Sequence, residues 1–233
     1  MTTARRSEGR VLRVTPSEPT SRTRVKRLPE RAIHDEDVIT AIVDEALICH
    51  VGFIHDGYPV VIPTIHARSG DTLYFHGSPA SRMLLDMKQG AEVCITVTLV
   101  DGLVMARAPF HSSMNYRSVV IFGAARFVDD PAEKETAFRL VTEHVAPGRW
   151  EDSRLPTAKE TKGTAILAVS MAEASAKVRS GPPEDDAEDY DLPLWAGVVP
   201  LRMVADPPIN DPALRVDVGV PGYLSDYKRP GQR

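Results

Sequence analysis

Ser81 and Arg82 stand side by side in the segment 58–82, YPVVIPTIHARSGDTLYFHGSPASR. A hydroxyl and a guanidinium beside the free N–H groups of a starting helix make a seat for a phosphate. The same segment holds two apolar strand-like runs joined by Ser69, Gly70 and Asp71, and the second run ends in His76 and Gly77. Such a hairpin can wall one face of a flat ring. A ring on a wall with a phosphate at one end describes a nucleotide-type cofactor. Arg117 and Ser118 open a later strand. They would bring a second cation and hydroxyl if that strand ran beside the 74–78 edge.

Other chemistries find less support. Neither GxGxxG nor GxxxxGK[ST] occurs, which disfavours a doubly wound dinucleotide fold. The seven histidines are scattered, and HExxH and CxxC are absent, so no metal set is assigned. His50, His55, His66 and His76 read as partly buried hydrogen-bonding residues. Ser112 and Ser113 beside His111 lack a nucleophile elbow. No catalytic acid or base is named. Cys49 and Cys94 lie in apolar runs and read as buried thiols of a cytoplasmic protein.

The elements that must hold these groups follow from periodicity. Val38, Ile39, Ile42, Val43 and Leu47 recur at helical spacing after Asp35. Strands are expected over 48–54, 59–67 and 72–76, with Asp56-Gly57 as a hairpin turn. Ser78 and Pro79 should open a helix over 79–89 that Gly90 ends. A β-branched strand covers 92–100, and 101–115 reads as a long connection. The next strand, 117–128, carries Gly123 as a bulge or close-contact point. A helix runs from Pro131 to Val145, strands follow at 164–169 and 176–179, and the acidic stretch 182–191 reads as a solvated loop. A last strand is expected within 195–204. Many strands joined by short turns favour an antiparallel barrel over a parallel sheet, so the fold class is mainly β with flanking helices.

The chain has 233 residues with 28 Lys and Arg against 32 Asp and Glu. Nine of those cations fall in residues 1–31 against three Glu. Residues 1–23 are expected to form a disordered basic tail rather than a nucleic-acid arm, for want of periodic apolar residues. The barrel domain is expected over 24–205, with an extended tail over 206–233. No apolar run is long enough for a membrane span.

The pieces RLPER, ALICHVGFIHDGYPVVIPT, LYFHGSPASRML, YRSVVIFGAARFVDD, SAKVRSGPPEDD and WAGVVPL, in this order, resemble the pyridoxamine 5′-phosphate oxidase-like family. Its members are FMN-binding split β-barrels with a Greek-key-like antiparallel sheet. The likeness is to the branch of pyridoxamine 5′-phosphate oxidase-related, flavin-nucleotide-binding proteins. It implies an FMN-dependent oxidoreductase that forms a homodimer, with FMN at the subunit interface and a small-molecule substrate. It also implies that Val61, Ile62, Pro63 and Thr64 pass under the ring, that Phe75 and His76 touch the cofactor, and that Ser81 and Arg82 bind its phosphate. Arg117 and Ser118 would add contacts, and Lys177, Arg179 and Trp195 are candidates to complete the partner's site. The oxidase has a basic residue where Thr64 stands and a glutamine where Ser118 stands. It ends in an Arg- and His-containing motif that PGYLSDYKRP does not match. The resemblance therefore implies FMN binding without oxidation of a B6 vitamer. Its alternatives are a non-catalytic FMN store, or a relative that handles haem or nitroaromatic compounds through one of the histidines.

Overall fold

The computed structural model describes residues 19–87, 90–214 and 218–229. In chain order the elements are β1 (Ala32–Ile33), α1 (Glu36–Glu45), β2 (Ile48–His55), β3 (Tyr58–Ser69), β4 (Thr72–Gly77), α2 (Arg82–Met87) and β5 (Glu92–Met105). Then come β6 (Ser113–Ala124), β7 (Arg126–Phe127), α3 (Pro131–Val145), α4 (Ala158–Gly163), β8 (Ala165–Ser170), β9 (Ala174–Arg179), β10 (Gly197–Pro200) and α5 (Gly222–Ser225). The expected basic tail lies outside the described residues as far as residue 18. From there the chain is seated: Thr23 is buried, and Arg22 pairs with Glu92 and Glu173.

All the strand pairs are antiparallel, in the order β1-β9-β6-β5-β2-β3-β4-β8-β7, with β10 on β5. The path does not close. β3 spans both halves of this split barrel, pairing with β2 through Ile65 and with β4 from His66 onward. Asp56 (φ 45°) and Gly57 (φ 81°) make the two-residue turn that sets its register, so that Gly52 faces Val61 and His50 faces Pro63.

Alternation points one face of each strand inward. Cys49, Val51 and Phe53 of β2 meet Leu73 and Phe75 of β4, Val93, Ile95 and Val97 of β5, and Leu167 and Val169 of β8. α1 closes this core with Ile39, Ile42 and Val43, and α2 with Met83, Leu84 and Met87. Asp35 caps α1, accepting from the N–H of Asp37 (2.9 Å) and Val38 (3.1 Å). On the far side of the β4–β8 sheet, α3 covers Tyr74, Ile166 and Ala168.

Several expectations are corrected. The stretch 101–115 is mostly strand: β5 reaches Met105 and β6 begins at Ser113, paired across a bulge between Val100 and Gly102. The Asp101-Gly102 pair broke the apolar alternation, and the bulge absorbs it. The strand expected over 117–128 divides at Ala125, because Arg126 and Phe127 leave β9's sheet to pair with β8. The acidic stretch 182–191 is mostly exposed, as expected, but it is docked at Asp185. The Asp185 carboxylate is sealed from solvent, accepting from the N–H of Arg107 (2.8 Å) and Ala108 (3.3 Å) and from Arg107 Nη1 (3.1 Å). α2 starts later than expected, with Ser81 Oγ accepting from Leu84 N–H at 3.4 Å. α4 was missed, although Thr157-x-x-Glu160 is a legible capping box.

Gly123 is a close-contact point. A Cβ built there would lie 3.1 Å from Val169 Cγ1 and 3.6 Å from the Ser170 carbonyl oxygen. Gly123→Ala should therefore force β6 and β8 apart and cost about 1 kcal/mol, within the usual range for overpacking. The urea midpoint checks this; an unchanged or raised midpoint removes the contact as the reason for the glycine.

Candidate functional site

The β2–β3 hairpin tip and α2 meet through two side-chain pairs. Arg82 and Asp86 sit four residues apart, on one face of α2. Arg82 Nη1 is 3.3 Å from Tyr58 Oη, and Asp86 Oδ2 is 2.8 Å from His55 Nδ1. The His55 and Tyr58 rings meet edge to face at 5.4 Å. Tyr58 and Asp86 were not picked out in the sequence, whereas His55 was read as a partly buried hydrogen-bonding residue, as its bond to Asp86 has it. Their signal was there: the i,i+4 spacing on α2, and a turn that places His55 opposite Tyr58.

Among the described residues Arg82 forms no ion pair, and its one contact is with a neutral hydroxyl. Its charge is available to a ligand. The outward face of β3 runs through Pro59, Val61, Pro63 and Ile65, and Tyr58 at the hairpin tip has the opposite parity, that of Val60 and Ile62. Val61 is 62% exposed. Ile62 packs against the core, and Thr64 shares its parity and donates to Ile65 O at 3.4 Å. Of the four β3 residues expected under a ring, Val61 and Pro63 present side chains outward.

The other candidates are scattered. Phe75 is fully buried in the core, so its side chain is closed to a ligand. His76 is half-buried, and burial lowers its pKa. The long strand does not run beside β4. β6 pairs with β5 and β9, while β4 is held by β3 over Thr72 to Phe75 and by β8 over all six of its residues. Ser118 Oγ donates to Lys177 O at 3.2 Å. Lys177 Nζ donates to Arg27 O at 2.9 Å, and Arg179 is bound by Asn115 and by Pro182 O. Trp195 is exposed and folds back over Gly197.

Arg117 is committed within the chain. Its guanidinium donates to Asp101 (2.9 and 2.7 Å) and to both oxygens of Glu45 (2.9 Å for one). These bonds, Asp101's first and then Glu45's, raise its pKa above the ordinary arginine value. Two carboxylates outweigh its one charge, so it offers no cation to a phosphate.

Two recesses of the single chain lie away from these residues. One of ≈540 Å³ is lined by Pro147, Tyr223, Asp226, Tyr227 and Lys228, the other of ≈190 Å³ by residues around Ile39 and Met171. Among the described residues no group of three His, Cys, Asp or Glu is arranged for a metal, and no helix is long and apolar enough to cross a membrane. Cys49 and Cys94 are free thiols, and burial pushes Cys49 up to about 12.

The fold is shared with solved structures. The flavocytochrome Anf3 from Azotobacter vinelandii superposes with a TM-score of 0.85 at 42% identity, over 90% of this chain and 97% of that one. The FAD and heme binding protein from Mycobacterium smegmatis does so with a TM-score of 0.82 at 31% identity, over 87% of this chain and 100% of that one. No curated protein sequence matches. The family model described as pyridoxamine 5′-phosphate oxidase matches residues 35–178. With that model spanning more than half of the chain, and this split barrel common to relatives of such identity, the protein belongs to the pyridoxamine 5′-phosphate oxidase family.

Proposed function

We propose that two copies of this chain hold a flavin nucleotide between them, FMN or the larger FAD, and that the protein is a flavin-dependent oxidoreductase acting on a small molecule. One observation carries the reading: an arginine that has no carboxylate partner among the described residues stands beside the tip of the hairpin whose β3 strand presents an apolar outward face. Arg82, with the hydroxyls of Ser78 and Ser81 nearby, suits a phosphate. Val61 and Pro63 suit the underside of an apolar ring and keep water from it. Once bound, the flavin would supply the electron-transfer chemistry, and the protein would orient it and shape its surroundings. The similar structures named for flavin or FAD support this choice. The free thiols Cys49 and Cys94 support a reducing compartment such as the cytoplasm.

A spectrum of the purified protein tests the reading, with the released ligand weighed by mass spectrometry. Flavin bands with the mass of FMN or FAD are expected. A colourless protein that stays colourless after incubation with both nucleotides overturns it. Bleaching by a reduced nicotinamide or deazaflavin, then reoxidation by a substrate, separates an enzyme from a flavin store.

A second reading, that this face holds haem in place of the flavin ring, is favoured by His50. It is exposed on β2, opposite Pro63, and makes no hydrogen bond among the described residues. Ile48, Ile54, Val61 and Ile65 surround it on the same outward face, and all are exposed. An imidazole on an apolar wall would fit an axial ligand with a porphyrin lying against the sheet. Both similar structures carry names that include a haem protein. Adding haemin should give a Soret band that His50→Ala abolishes and His111→Ala keeps. A band that survives His50→Ala rejects this ligand.

A further inference from the structure

Residues 201–214 form neither helix nor strand, and every one is exposed. Ile209 is 96% exposed, and Leu201, Val204 and Leu214 also face outward. Pro207, Pro208 and Pro212 stiffen this stretch and remove three backbone donors from it. A structureless segment of this length in a compact domain is commonly functional.

The arm is firmly rooted at both ends. β10 pairs with β5 from Met105 to Gly102, and Leu201 N–H then donates to Asp101 O at 3.0 Å. Further along the same edge of β5, Thr96 is paired with His50 of β2. The arm cannot continue as a strand there and must lift off the sheet. It returns at Arg229, which donates to Glu45 O at 2.9 Å and touches Met203 Sδ at 2.8 Å. Arg117 holds the side chains of both Asp101 and Glu45, so one guanidinium ties the two roots together. That arrangement accounts for the arginine that the flavin site does not use.

We propose that this arm docks on a second copy of the chain, against the outward face of its β2, β3 and β5. That face exposes Ile48, Ile54, Ile65 and Val100, around the Val61 assigned to the ring. Face and arm together leave on the order of 1,000 Å² of apolar side chain uncovered per chain, above the largest patch of a typical monomer. The amount matches the roughly 800 Å² per partner of a standard interface. In a two-fold pair each copy gives one arm and receives one, so a single contact covers both patches twice over. The docked arm would border the proposed flavin ring. The proposal rests on the dimer of that reading but not on its cofactor.

Photo-crosslinking of the full chain tests this. p-Benzoylphenylalanine replaces Ile209, where exposure leaves folding untouched, and ¹⁵N-labelled and unlabelled chains are mixed before illumination. Expected is a covalent dimer in which residue 209 of one isotope is joined to a peptide from 48–65 or 92–100 of the other. Cross-links confined to one isotope, links elsewhere on the partner, or no covalent dimer overturn it. Val204→Asp with Ile209→Asp should weaken dimerisation at least tenfold by light scattering; unchanged dimerisation also overturns it. The colour of the same samples is read separately. An inter-chain link in a colourless protein keeps the arm and rejects the flavin, and an intra-chain link in a yellow protein does the reverse.

Discussion

Arg82→Ala weakens flavin binding by roughly 10- to 150-fold, the effect of losing about 1.5–3 kcal/mol of charge-assisted hydrogen bonding to a phosphate. The expectation follows from what Arg82 does without a ligand. Among the described residues it pairs with no carboxylate, and its side chain makes a 3.3 Å approach to the Tyr58 hydroxyl. Its removal should therefore leave the melting temperature of the apoprotein unchanged and act on the ligand alone. Arg117→Ala supplies the contrast. Glu45 and Asp101 would then face each other without the guanidinium between them. That variant should lose stability while its flavin affinity, measured on the folded fraction, stays within twofold. Fluorescence quenching titrations of FMN and FAD at two salt concentrations measure both. Equal affinity for wild type and Arg82→Ala, or a loss confined to Arg117→Ala, would move the phosphate site from α2 to β6.

Much of the fold was legible because local signals agreed with tertiary need. Asp56-Gly57 between two alternating runs left little freedom, since both residues take positive φ in the turn that results. Asp35 before Val38, Ile39, Ile42 and Val43 marked both the cap and the buried face of α1. What stayed hidden depends on partners distant in sequence. Asp101-Gly102 looks like a turn pair, and the β5–β6 bulge becomes visible only when β6 is laid against it. Asp185 lies in a run of acids that reads as solvated, yet its carboxylate meets N–H groups of residues about 77 positions away. Composition describes the run, whereas one carboxylate decides where it docks.

The site was legible in the same uneven way. Arg82 and Val61 are placed by the hairpin and by the helix after it, all within 25 residues, and short-range pattern suffices there. Arg117 was read as a cofactor cation because an arginine at a strand start resembles one. Its partners, Glu45 at the end of α1 and Asp101 in the bulge, are distant in sequence, and no local pattern reports them. A charge is free or committed only in three dimensions. The histidines show the same limit. His50, His55, His66 and His76 look alike in sequence, but one is exposed on an apolar face, one is paired with a carboxylate, and one is sealed in the interior.

That sealed residue should set the acid limit of the fold. His66 has no exposed surface, donates from Nε2 to Val43 O at 2.9 Å, and leaves Nδ1 buried without a partner. His144 lies 5.0 Å away ring to ring and donates to Ala46 O at 2.7 Å. With Arg229 on Glu45 O, these groups satisfy carbonyls that the C-terminal end of α1 would otherwise leave bare. Burial lowers the His66 pKa from 6.5 to about 4, a change that the Val43 bond and nearby Asp44 oppose and His144 reinforces. Burial lowers His144 as well. Because the unfolded chain takes up these protons first, stability is full above pH 6.5 and falls as the pH drops toward 4. His66 alone should contribute a loss of about 3 kcal/mol across that window, at roughly 1.4 kcal/mol per pH unit. His66→Gln keeps an N–H for Val43 O but cannot titrate. Urea midpoints at intervals from pH 7 to 4 should fall steeply for wild type and by about one proton's slope less for the glutamine variant. Parallel curves would mean that His66 is charged in the folded protein, and that the α1 terminus, with its two neighbouring carboxylates, holds an imidazolium at a depth where burial should have expelled one.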